Sequence, residues 1–229
     1  ILVPGSEGIQ EQMRLIQREI DNGAQGLVVA AANSEEMGAF LDAAAGRLPV
    51  VLVETGTNDP ENPAISADNQ AMGATLAERM HKIEAQKVAL VVTNLQRDSV
   101  LQRYEGFVAQ MEEYGIDITE WDVDASATSL RDYVASTLYG NRNPPDAIVA
   151  LDNETLDTVL DGLEAAGQYV PLYGVGSSEK VVHALDQGDI RGICFQNEFN
   201  IGYMAMVGLG QKMKMDTPPV SSSIDFHYV

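Results

Sequence analysis

Cations are scarce in this sequence. It holds 14 Lys and Arg against 34 Asp and Glu in 229 residues, a formal net charge of −20. A nucleic-acid surface needs clustered Lys and Arg, so this balance argues strongly against nucleic acid as a partner contacted by this chain. Cysteine is scarcer still. Cys194 stands alone, which excludes an internal disulfide framework, and its place in the apolar run GICF suits a small buried residue better than a nucleophile. Long hydrophobic runs are missing too: no stretch approaches the ~18 apolar residues of a membrane helix. No signal peptide pattern is present; the opening ILVPGSEG reads as the inside of a strand. The three histidines, His81, His183 and His227, lie far apart without ligand spacing, and no metal or cofactor site is expected.

What is present is a regular alternation. Hydrophobic residues make up 45% of the chain, ample for a core. Short apolar runs that read as strands (1–3, 26–32, 49–54, 87–93, 116–123, 147–152, 170–175, 191–196 and 222–229) alternate with amphipathic stretches that read as helices (9–22, 35–46, 68–83, 99–114, 128–139, 153–166, 178–187 and 198–214). Continuous apolar strands separated by helices imply parallel sheet covered on both faces, wound by right-handed crossovers into a doubly wound α/β architecture. The turn-rich stretch TGTNDPENP (55–63) interrupts the alternation and divides it unequally. Five strands follow in one complete unit, whereas only three precede, too few to bury a sheet alone.

Glu54, Asp152 and Gln196 each stand where an apolar strand ends, at LVE, ALD and CFQ. Open α/β sheets bind ligands at those ends. Arg103, in LQRYEGF, begins a helix, where the dipole disfavours a cation by a few tenths of a kcal/mol or more. A functional reason is therefore expected for it, and an Arg fork beside carboxylates suits a polyol's alternating hydroxyls. The plainer readings are also open. Asp152 and Asn153 suit a helix N-cap as well as a ligand contact, Gln196 a hinge, Glu54 a solvated turn, and Arg103 a surface pair with Glu105 or Asp98. Arg97, in the loop before Arg103, is a weaker candidate, and Trp121 suits either a sugar-stacking platform or a core position. Catalytic alternatives fail on their spacing. DVDASATSLRDY (122–133) lacks the glycine and glutamate of a calcium loop, and GVGSS is not a nucleophile elbow. Glu54 with Asp152 as a glycosidase pair finds no supporting element, so no catalytic residue is assigned.

The segments RYEGF (103–107), DAIVALDNETLDTVLDGLEAAG (146–167), GDIRGICFQNEFNIGYMAM (188–206) and ISADNQAMGATLAERM (65–80) resemble the type I periplasmic sugar-binding proteins, relatives of the ligand-binding cores of LacI-type repressors. The resemblance runs in order along essentially the whole chain. It implies two α/β lobes, 1–66 with 198–222 and 67–197 with 223–229, that close by a hinge on a sugar or small polyol. It implies Arg103 and Gln196 as ligand-binding residues, with Glu54 in the place of an acidic residue of ribose-type members. Two positions depart from the ribose type: Asp152 stands for an amide, and Gly176 for a carboxylate, leaving the sugar's identity open. By the same resemblance the opening strand is the family's second, so the first strand and helix are expected upstream of this sequence. The implied protein is a monomeric, non-enzymatic, extracytoplasmic solute-binding protein, secreted or lipid-anchored, that serves a membrane permease. The ectodomain of a sensor kinase and a repressor core share the fold and remain as alternatives.

Overall fold

The computed structural model describes residues 8–56, 64–123, 127–215 and 223–229. The strand expected at 1–3 and most of the turn-rich stretch lie outside the described residues. The chain divides into two compact units. One comprises residues 1–67, 96–99 and 197–225, and the other residues 68–95, 100–196 and 226–229.

In the first unit α1 (Gly8–Asp21) and α2 (Ser34–Ala45) flank β1 (Leu27–Val29), and β2 (Val50–Leu52) pairs parallel to β1. Strand alternation sends side chains to two faces. Val29, Val50 and Leu52 join Ile16, Met37 and Leu41 under α1 and α2, while Val51 joins Ile201, Ala205 and Leu209 of α8 (Glu198–Met215) on the other side. Asn33 caps α2 by accepting from the Glu36 amide. Gln12 of α1 donates to the Ala30 carbonyl and accepts from the Ala32 amide, tying the end of β1 to the helix. Two strands of two residues each complete the unit: β3 (Ser66–Ala67) runs parallel to β9 (Ser223–Ile224).

The second unit is built on a six-stranded sheet. Its strands are β4 (Lys87–Val92), β5 (Asp117–Asp122), β6 (Ala147–Ala150), β7 (Leu172–Val175), β8 (Ile190–Gln196) and β10 (Phe226–Tyr228). Their order is β10-β8-β7-β6-β4-β5, and the first five strands in sequence are mutually parallel. The last segment departs from the all-parallel expectation, because β10 runs antiparallel to β8 and closes one edge. From β4 the chain goes outward to β5, then returns past β4 to β6. Right-handed connections in opposite directions place their helices on opposite faces. Accordingly α5 (Ala127–Leu138), α6 (Asn153–Ala166) and α7 (Glu179–Gln187) cover one face, around Ala89, Val91, Ile148 and Ile193. The other face carries α3 (Asn69–Lys82) and α4 (Asp98–Tyr114).

These two helices touch backbone to backbone. A Cβ added at Gly73 would lie 2.0 Å from the Arg103 carbonyl oxygen, and one at Gly106 2.1 Å from that of Gln70. Only glycines permit so close an approach.

Candidate functional site

The reversal of direction in the second sheet falls between β4 and β6, and at such a switch point the loops leaving adjacent strands diverge and open a crevice at the carboxyl ends. Side chains from both strand ends meet there. The Thr93 and Thr155 hydroxyls lie 2.6 Å apart, and Asn94 donates to Asp152 Oδ2 at 3.0 Å. Asp152 also accepts from the Thr155 amide at 2.9 Å and from the Thr155 hydroxyl at 3.0 Å, so it caps α6. Asn94 has φ of 56°, a left-handed conformation that costs energy for a residue with a side chain. Such strain persists only where the surroundings hold it, and here the bond to Asp152 does so.

Arg103 enters from α4. It is 4% exposed, and its guanidinium is gripped on two edges. Nε donates to Asn69 Oδ1 at 2.8 Å, and Nη1 donates to the Leu151 carbonyl at 3.0 Å, one residue before Asp152. Charge-assisted bonds of this kind are each worth roughly 1.5–3 kcal/mol. Arg103 does not begin its helix as the sequence suggested: α4 starts at Asp98, which puts Arg103 in the second turn, where the dipole cost has largely faded. It is a buried residue and not a solvated surface cation. Gln196, 8% exposed, ends β8 at the same end of the sheet. The second unit thus gathers a guanidinium (Arg103), a carboxylate (Asp152), three amides (Asn69, Asn94 and Gln196) and two hydroxyls (Thr93 and Thr155) at strand ends and on the helices beside them. That set both donates to and accepts from hydroxyl groups.

The sequence matches the family model for the periplasmic binding protein domain over residues 1–214. The chain belongs to that family. No curated protein sequence matches it, but solved structures share its fold. The Caulobacter myo-inositol binding protein, bound to myo-inositol, superposes with a TM-score of 0.85 at 21% identity, over 96% of this chain and 79% of that one. A solute-binding protein of a carbohydrate transporter from Agrobacterium radiobacter, in complex with D-arabinose, gives 0.84 at 18% identity, over 96% and 79%. A periplasmic solute-binding protein of an ABC transporter from Actinobacillus succinogenes, with bound D-allose, gives 0.85 at 17%, over 100% and 85%.

Other candidates in this periplasmic binding protein domain fall elsewhere. Trp121 is a core residue and not a stacking platform: it is buried with Leu130 and Val134 and meets the Tyr133 ring edge-on at 5.7 Å. Asn153 organises the neighbouring loop, its Oδ1 accepting from the Ser177 and Ser178 amides at 2.9 and 2.8 Å. That same oxygen lies 2.8 Å from where a Cβ at Gly176 would stand. A side chain at 176 would therefore crowd the Asn153 amide. Glu54 and Arg97 belong to the first unit. Glu54 follows β2 with φ of 60°, strained like Asn94 at the end of its own strand.

Asn69, Thr93, Asn94 and Thr155 are residues of this candidate site that sequence reasoning missed. Asn69 carried a signal. It stands at the head of the buried series Met72, Leu76 and Met80, at intervals of three or four residues, so a polar side chain was due on a buried face.

Two outcomes follow from this geometry. Asp152→Ala removes the α6 cap and leaves Asn94 without its acceptor, and is expected to cost about 1–2 kcal/mol in urea unfolding. A loss no larger than a few tenths would return Asp152 to a purely ligand-facing role. Cys194 should resist maleimide at neutral pH in the native protein and react fully in denaturant. Burial pushes its thiol up to about 12, against the opposing pull of the nearby Arg103 charge. Ready native labelling would show that this part of the site is open.

Proposed function

We propose that this chain is the extracytoplasmic solute-binding protein of a membrane permease, and that it captures a sugar or related small polyol. The observation that carries the reading is the buried Arg103, held on two edges at the strand-order switch point beside Asp152, with Gln196 at the same sheet end. Fixed planar donors beside fixed acceptors discriminate hydroxyl-rich ligands, because each hydroxyl both gives and accepts a hydrogen bond. In this reading Arg103, Asp152 and Gln196 are ligand contacts of the second unit, and Glu54, at a strand end of the first, contributes a further acceptor. Arg97 is the weaker contact, and Asn153 acts through the loop it holds.

The relatives bound to myo-inositol, D-arabinose and D-allose support a small polyhydroxylated ligand, and those belonging to carbohydrate transporters support a permease as partner. Among the described residues no helix is long and apolar enough to cross a membrane.

Mass spectrometry of small molecules released from the purified, denatured protein tests the proposal. A monosaccharide or cyclitol in near-stoichiometric amount is the expected result. A ligand recognised through an amine or carboxylate, such as an amino acid, would overturn it.

A further inference from the structure

A second pocket opens at the amino ends of β4, β6, β7 and β8, the opposite end of the sheet from Arg103 and Asp152. Its volume is about 420 Å³, and Glu84, Asp146, Tyr173 and Arg191 supply its polar side chains together with Gln86. Leu172 lies in the core under α5, α6 and α7, so strand alternation turns its neighbour Tyr173 to the α3 face. Tyr173 is only 6% exposed, yet among the described residues its hydroxyl has no hydrogen-bond partner. Buried hydroxyls are nearly always bonded, because leaving one unsatisfied is costly.

Two guanidiniums bear on that hydroxyl. Burial pushes its pKa up, while the charges of Arg79 and Arg191 both pull it down. Arg79, on α3, lies over the Tyr228 ring with its Cζ 4.5 Å from the ring centre. Tyr228 in turn crosses β8 at Gly192, the register partner of Tyr173: a Cβ at Gly192 would lie 2.0 Å from the Tyr228 hydroxyl. Arg191, on β8, stacks over the Tyr169 ring at 5.5 Å and donates from Nε to the Tyr169 hydroxyl. Its two Nη groups have no acceptor among the described residues.

Neither arginine pairs with a carboxylate among the described residues, in a chain of 34 Asp and Glu against 14 Lys and Arg. The carboxylates of the pocket do not neutralise them. Asp146 accepts from the Gln86 and Lys87 amides at 2.8 and 2.9 Å, and Glu84 forms no ion pair with either arginine. Stacking on tyrosines explains how the two guanidiniums are held. It does not explain a buried hydroxyl left without a partner beside them.

We propose that this pocket binds a small oxyanion, a carboxylate or phosphate group that accepts from the Arg191 Nη groups and from the Tyr173 hydroxyl, with the Arg79 charge favouring it from α3. The site is separate from the one assigned to the sugar, and its test does not depend on that reading.

The protein, labelled with ¹⁵N, is titrated with sodium acetate and separately with sodium phosphate, each against sodium chloride at matched ionic strength. Saturable shifts of the Arg191 Nε–H and of the Tyr173 and Arg191 amides are expected with at least one of the two, and the tighter identifies the group. Arg191→Gln and Tyr173→Phe should each weaken that binding about tenfold. Tyr173→Phe should also leave the urea midpoint unchanged or raised, because the protein loses no internal bond. Shifts no larger than those with chloride, or binding undiminished in both variants, would overturn the proposal. So would a fall in the urea midpoint of Tyr173→Phe, which would give the hydroxyl a partner inside the protein.

Discussion

Gly73→Ala, and separately Gly106→Ala, should lower the unfolding free energy by about 1–3 kcal/mol or more, the range for overpacking a close contact. The new methyl at Gly73 would meet the Arg103 carbonyl oxygen at 2.0 Å and the Phe107 amide nitrogen at 2.8 Å, and neither backbone atom can swing aside as a side chain would. The helices must separate, and α4 carries Arg103. The same variants should therefore bind ligand more weakly than their stability loss alone would cause. Gly38→Ala is the control: it also lies within a helix, but its Cβ meets nothing within 4 Å. There the lost backbone freedom of glycine should make alanine neutral or stabilising by up to about 1 kcal/mol. Urea midpoints that fall alike for Gly73, Gly106 and Gly38 would mean the close crossing of α3 and α4 does not matter.

Arg103→Ala should weaken ligand binding at least tenfold, from the loss of charge-assisted hydrogen bonds worth roughly 1.5–3 kcal/mol. Part of the loss is indirect, because Asn69 Oδ1 and the Leu151 carbonyl would be left buried without the donors they now accept from. Arg103→Lys separates charge from shape. A lysine keeps the positive charge but cannot reproduce a rigid fork gripped on two edges, so it should recover little of the affinity. Calorimetric titration checks both variants, with urea unfolding to confirm that they fold. Full affinity in Arg103→Lys would show that charge alone matters, and full affinity in Arg103→Ala would make the residue a structural strut.

The α/β architecture was legible because its signals are local. KVALVV is a continuous apolar run and forms β4, and the stretch 153–166 carries its cap, Asp152, and its stop, the left-handed Gly167, in the sequence itself. What escaped depends on distant partners. Ser66–Ala67 and Ser223–Ile224 are too short for any periodicity, and each is a strand only because the other lies beside it. The direction of Phe226–Tyr228 is set by pairing with β8, and nothing in three residues encodes it. In the site, Arg103 stood out as one of few cations in an acidic chain, whereas Asn94 looked like an ordinary loop residue after VVT. Its role rests on a bond to a residue 58 positions away. Trp121 shows the reverse: a residue type that suggests sugar stacking is held in the core by its place on β5.

The most direct measurement of the central claim is a thermal-shift titration of the ligand-free protein with myo-inositol, D-arabinose, D-allose and other monosaccharides, run beside Arg103→Ala. A ligand present at 100 times its dissociation constant adds about 2.7 kcal/mol of stability. At this chain length that raises the melting temperature by roughly 5–10 °C. The account predicts a shift of this size for at least one polyhydroxylated compound, and its loss in Arg103→Ala at the same concentration. A panel of sugars and polyols that leaves the melting temperature unmoved, or a shift that survives intact in Arg103→Ala, would contradict it.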